Sequence, residues 1–178
     1  MRWIVHSEEP LYRDEWLDIR LADVEITGGR HLQHRVMRSR SGGAGAVVLD
    51  EQRKNVLLIW RHRFITDTWA WEIPVGGIKD GEEPEAAAAR EVEEETGWRP
   101  GPMRLLTIVH PTPGISDARH HIFLAAGATH LGPPVEDWEA ERIEWVPLAR
   151  VRDLVEKGDI VAGTSVAALC FALLAIQA

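Results

Sequence analysis

The spacing of apolar and polar positions changes along the chain. Leu17, Ile19 and Leu21 alternate with Asp18 and Arg20, the period of two expected of a strand with one covered face. Gly28-Gly29 supplies a turn before a second extended run, His31 to Arg38, so residues 2–39 read as strands containing an antiparallel hairpin. Ser41-Gly42-Gly43-Ala44-Gly45 reads as a turn, and Ala46 to Leu49 and Val56 to Trp60 as strands joined by the polar segment Asp50 to Asn55. The run Trp69 to Val75, if extended, puts Trp69 and Trp71 on one face. At Pro84 the signals become helical: a proline suited to the first turn, alanines at 86–89, and Glu82, Glu83 and Glu85 at the positive end of the helix dipole. Gly97 is placed to stop that helix in the left-handed conformation. Met103 to Val109 and His121 to Ala126 are strands separated by the rigid loop His110 to Asp117. A long loop, Gly127 to Glu141, precedes a last strand, Ile143 to Val146. Helices follow at Leu148 to Glu156 and Ser165 to Ala175, the latter capped by Thr164 or Ser165.

The acidic helix carries the first chemical signal. Spacings of three and four bring Glu91, Glu94 and Glu95 onto one face and turn Glu93 away. Like charges at those spacings cost a few tenths of a kcal/mol per pair, and no lysine offsets them, so a cation is the natural guest. Rigidly held carboxylates suit hard divalent ions, Mg²⁺ or Mn²⁺, that complete their shells with water and phosphate oxygens. A merely solvated acidic face is the competing reading.

Charge and cysteine usage narrow the classes. The chain fits one compact domain with an N-terminal extension; its net charge of −8 and lack of a Lys/Arg block argue against nucleic-acid and anionic-membrane partners. The single cysteine, Cys170, can form no intrachain disulfide and sits in an apolar run expected to be core. Val166 to Ile176 is too short to span a bilayer, and residues 1–10 lack a basic-then-apolar leader, so a cytoplasmic protein is expected. His120-His121 are adjacent on a strand and face opposite ways, which argues against a metal pair.

The stretch Gly76, Glu82, Arg90-Glu91-Val92, Glu94-Glu95, Gly97 and Trp98 resembles the Nudix box at every fixed position. The resemblance implies a Nudix-type α/β/α sandwich with a mixed sheet and an N-terminal antiparallel β extension, divided as residues 1–40 and 41–178. It implies a hydrolase acting on a nucleoside diphosphate linked to another group, with Glu91, Glu94, Glu95 and the Val75 carbonyl as metal ligands. Arg90 would orient a box glutamate, and Glu82 would have a supporting role in metal binding or loop shape. Trp71-Glu72-Ile73-Pro74-Val75-Gly76-Gly77 is similar to the lead-in of ADP-ribose pyrophosphatases, with Val75 replacing a smaller residue. His110-Pro111-Thr112-Pro113-Gly114 is similar to a loop of the same branch, with His110 where an aromatic is usual.

From that branch the resemblance implies substrate contacts at Arg63, Trp71, Glu72 and Pro113, and a homodimer formed through the extension. An edge hairpin packed on its own domain is the alternative to the dimer. Arg63 has a second reading as the partner of an acid at the core edge, and Trp71 as a core side chain. The loop Gly127 to Glu141 is similar to one that carries the general base, making Glu139 or Glu141 the candidate; a box glutamate, Glu95, is the alternative. The activity implied is cleavage of ADP-ribose or a nucleotide sugar to a nucleoside monophosphate and a sugar phosphate. A triphosphate-sanitising pyrophosphatase and a non-catalytic nucleotide sensor are the competing functions.

Overall fold

The structure, a computed structural model, describes residues 2–177. The chain divides into two units: one comprises the residues up to Gly42 with the loop His110–Ala118, the other Gly43–Val109 and the residues from Arg119 onward.

In the first unit β1 (Ile4–Arg13), β2 (Asp18–Ile26) and β3 (Arg30–Met37) form an antiparallel sheet in that order. Asp14 makes the first turn by accepting the backbone N–H groups of Trp16 and Leu17 at 2.8 and 2.6 Å, and Gly28 and Gly29 make the second with positive φ. The loop His110–Ala118 belongs with this sheet, a grouping the sequence did not announce. Met37 N–H donates to Ile115 O, Ser39 N–H donates to Asp117 at 2.7 Å, and Arg38 donates to Asp117 at 3.0 Å.

The second unit is built on β4 (Gly43–Leu49), β5 (Asn55–Arg63), β6 (Thr68–Glu72), β7 (Val75–Gly77), α1 (Pro84–Thr96), β8 (Trp98–Pro100), β9 (Met103–Val109), β10 (His120–Ala126), β11 (Ala128–His130), β12 (Arg142–Pro147), a 3₁₀ turn (Leu148–Arg150), α2 (Val151–Lys157) and α3 (Gly163–Gln177). The sheet runs β12-β5-β4-β10-β9, with β6 on β5 and β7 on β4. β4 and β10 are parallel and the other pairs antiparallel, which makes the sheet mixed. β4 is buried along its whole length because both faces are covered. Ala44, Ala46 and Val48 pack with Ala87, Ala88 and Val92 of α1. Val47 and Leu49 pack with Ala168, Leu169 and Ala172 of α3 and Leu154 of α2. The fold is therefore an α/β/α sandwich.

Several local expectations shift for identifiable reasons. The glycine-rich turn is strand from Gly43, because a Cβ at Gly45 would sit 2.4 Å from Pro74 O and one at Gly43 3.0 Å from Gly76 O; glycine lets the loop before α1 close on β4. Thr164 and Ser165 do not cap α3, which starts at Gly163: Thr164 Oγ1 pairs with His120 Nδ1, and Ser165 Oγ accepts the N–H of Ile73. Cys170 is exposed rather than core, since α3 is apolar all round and also exposes Phe171 and Leu174 while Leu169 and Ala172 face the sheet.

Candidate active site

The loop after β7 and the helix α1 bring a set of carboxylates against backbone. Pro84 stands at the start of α1 as predicted, and Gly97 ends it with φ 73°. Glu91 and Glu95 are buried, 7% and 3% exposed, because the face that carries them packs toward the sheet. A Cβ on Gly76 would lie 2.2–2.5 Å from the Glu91 carboxylate, so the bare Gly76 backbone lies directly against it.

Two arginines hold the acids. Arg90 donates Nη1 to Glu91 and to Glu94 at 2.7 Å, Nε to Glu82 at 2.8 Å and Nη2 to Gly77 O at 2.9 Å, tying helix to loop. Its guanidinium, chiefly through Glu82, is held even more firmly charged than usual, and Glu82 is drawn down to about 2 by Arg90 and the N–H of Lys79. Arg61, buried on β5, donates to Glu95 at 3.0 Å and pairs with Glu139. Glu95 also accepts the N–H of Val75 at 3.2 Å.

This compensation is incomplete. Burial pushes Glu95 up to about 7, against the pull of Arg61 and with the charge of Glu91 adding to the rise. Burial also raises Glu91, reinforced by the charges of Glu94 and Glu136. Two buried carboxylates repelling one another on one rigid helix, with oxygen donors alone, fit a hard divalent cation. Glu91, Glu94, Glu95 and the Val75 carbonyl are the atoms that would hold it. Among the described residues the three glutamates do not converge on one point, since Arg90 holds two of them and Arg61 the third.

The loop after β11 docks onto this helix. Leu131 N–H donates to Gly97 O, Glu136 N–H to Glu94 O at 3.0 Å, and Glu141 N–H to Trp60 O of β5. Of the two loop glutamates expected as candidates, Glu139 reaches Arg61, while Glu141 is exposed.

Other predicted residues lie as follows. Arg63 donates Nε and Nη2 to both oxygens of buried Glu72 at 3.0 and 2.6 Å, the ion pair read as its alternative role. Trp71 is a core side chain, 7% exposed, with Trp60 at 5.2 Å and Arg142 over its ring; it packs among Val56, Leu58 and Leu169 rather than presenting a stacking face. Pro113 is exposed on the loop that belongs to the first unit.

Arg61 and Glu136 are functional candidates that the sequence reading passed over. The signal for Arg61 was present: alternation places it with Leu57 and Ile59, and Leu57 belongs to the cluster facing α1. Glu136 had no such signal, because an irregular loop has no period.

Set on an α/β/α sandwich, a loop-helix-loop with inward carboxylates defines a hydrolase of the NUDIX type. Residues 39–168 match the NUDIX domain, and the chain belongs to that family. It is 39% identical over 170 residues to the CMP-5'-(N-acetyl-N-hydroxy-3-aminopropyl)phosphonate hydrolase of Streptomyces rubellomurinus, covering 95% of this chain and 82% of that protein. It is 30% identical to the ADP-ribose pyrophosphatase of Bacillus subtilis, covering 86% of this chain and 83% of that one. Its fold matches the crystal structure of an ADP compounds hydrolase with a TM-score of 0.84 at 20% identity, over 99% of this chain and 95% of that one. Among the described residues no helix is long and apolar enough to cross a membrane.

Proposed function

We propose that this hydrolase adds water across the P–O–P bridge of a nucleoside diphosphate derivative, ADP-ribose or a nucleotide sugar, breaking one P–O bond and releasing a nucleoside monophosphate and a sugar phosphate. The observation that carries the proposal is the buried Glu91–Glu95 pair beside the bare backbone of Gly76, a site that calls for a divalent cation and its phosphate ligands. The cation, Mg²⁺ or Mn²⁺, supplies neutralisation of phosphate charge when bound.

The residues of the chain do the rest. Arg90 fixes Glu91 and Glu94 on the helix and ties them to the loop at Gly77. Glu139, oriented by the same Arg61 that holds Glu95, takes the proton of the attacking water; its pairing with buried Arg61, which exposed Glu141 lacks, supports Glu139 over Glu141. The Arg63–Glu72 pair braces the end of β5 and β6 at the rim, where an approaching phosphate can compete for the guanidinium.

The 39% identity to a hydrolase of a CMP-linked phosphonate favours a second substrate class, a nucleoside monophosphate joined to a phosphonate. Exposed Ile4, Val5, Leu11 and Tyr12 on β1 support a homodimer formed through the N-terminal sheet, which sedimentation equilibrium tests; a monomer throughout the concentration range overturns it.

The deciding experiment is a screen with Mg²⁺ of ADP-ribose, nucleotide sugars, CMP-linked phosphonates, dinucleotides and triphosphates, with the products resolved by chromatography. Nucleoside monophosphate from a diphosphate-linked compound, abolished by chelation, is expected. Faster turnover of triphosphates than of every diphosphate-linked compound, or tight binding without turnover, overturns the reading.

A further inference from the structure

The N-terminal sheet carries a side-chain group that the hydrolytic chemistry does not use. Among the described residues, His6, Glu25 and His31 form the one group of three or more His, Cys, Asp or Glu whose ligand atoms all lie within 4.8 Å of one another. Its assembly follows from strand register. Glu25 of β2 stands directly opposite His31 of β3, and Asp23, two residues earlier, projects on the same face. On β1 the register slips between Val5 and Ser7, leaving His6 as the extra residue of a bulge, a device that re-aims one side chain. His6 Nε2 reaches Glu25 at 2.8 Å, and the two imidazoles stack at 5.0 Å with 25° between their planes.

The donor set has a definite preference. His31 Nδ1 lies 3.0 and 3.2 Å from the two oxygens of Asp23, so Asp23 fixes the tautomer that protonates Nδ1 and leaves the lone pair on Nε2. A carboxylate behind a histidine is the arrangement that orients metal-binding imidazoles. Two imidazoles and one carboxylate suit Zn²⁺ and neighbouring transition ions, whereas Mg²⁺ takes oxygen alone. Tetrahedral Zn²⁺ with bonds of about 2.0–2.1 Å sets donors about 3.3 Å apart. The donors lie within 4.8 Å on side chains that are 42% (His6) and 51% (His31) exposed; a bound ion would draw them together, replacing the His6–Glu25 hydrogen bond while the His31–Asp23 bond is kept.

We propose that His6, Glu25 and His31, with Asp23 behind His31, form a transition-metal site, Zn²⁺ foremost, that clamps edge strand β1 to β2 and β3. It is independent of the hydrolytic site in both residues and metal.

The test is titration of the full-length, tag-free protein with Zn²⁺ by calorimetry, and with Co²⁺ by visible absorption, in excess Mg²⁺. Wild type should take up one ion per chain at micromolar concentration, with Co²⁺ bands of nitrogen ligation. His6→Ala and His31→Ala should each weaken binding at least tenfold, and Asp23→Asn roughly 10–100-fold. The double variant H6A/H31A should lose the site while keeping Mg²⁺-dependent turnover. Zn²⁺ should slow amide exchange in β1 of wild type only. Equal uptake by wild type and H6A/H31A overturns the proposal and leaves the group as surface ion pairs. If that double variant misfolds, Glu25→Gln, which keeps the shape of the side chain, decides by the same comparison.

Discussion

Replacing Gly76 by alanine isolates the contact on which the active site turns. The added Cβ would stand 2.2 and 2.5 Å from the Glu91 oxygens and 2.3 Å from its Cδ. Non-bonded heavy atoms settle at about 3.5–4.0 Å, so the carboxylate must retreat by roughly 1 Å or more. Gly76 is not among the positive-φ residues, so its backbone accepts alanine, and the obstacle is the far end of a flexible side chain. Fold stability should therefore fall by no more than about 1–3 kcal/mol, the usual cost of mild overpacking. Displacing a site carboxylate by about 1 Å should lower kcat/KM about 10²-fold, with weaker Mn²⁺ binding. Gly77→Ala is the matched control, because nothing lies within 4 Å of its Cβ. Turnover and Mn²⁺ titration of the two variants, on the best substrate from the screen, give the comparison. Wild-type kinetics in Gly76→Ala, or equal losses in both, would refute the reasoning.

Glu139→Gln should lower kcat by roughly 10²–10⁴ and flatten the acidic limb of the pH–rate profile while Glu141→Gln stays near wild type; equal effects would send the search for the base back to Glu95. Arg61→Met removes the cation shared by Glu95 and Glu139 and should cost roughly 3–5 kcal/mol in denaturant unfolding, as for other broken buried pairs; a loss under about 0.5 kcal/mol would show that Glu95 is already neutral. Glu82, drawn down to about 2 from an ordinary 4.5, contributes stability present above pH 4.5 and lost as pH falls toward 2. After allowance for solvent around this pair, the contribution is about 1–2 kcal/mol, so wild type and Glu82→Gln should differ at pH 7 and converge near pH 2; a constant gap would mean the charge of Glu82 is not responsible.

What the sequence determined by itself is local. The helix of Pro84–Thr96, its glycine stop and the shared face of Glu91, Glu94 and Glu95 follow from propensity, capping and a 3.6-residue period, and each needs only neighbours in the chain. The alternation of Leu17, Ile19 and Leu21 marked a strand but the wrong face: Leu17 is exposed just before β2, while Asp18, paired with Arg20, is buried with Ala22 and Val24; β4 carried no alternation, because both its faces are buried. Tertiary structure alone decided which partners meet across distance. Arg61 and Arg63 are equivalent in the sequence, yet only the packing of β5 under α1 sends Arg61 to Glu95 and Glu139 and leaves Arg63 with Glu72. Trp71 and Cys170 show the same limit, since an aromatic on a strand and a cysteine in an all-apolar helix have no sequence mark for the face they take. The bulge at His6 is of the same kind: the approach of His6, Glu25 and His31 depends on a one-residue register slip between strands, and register is a property of pairing, not of either strand.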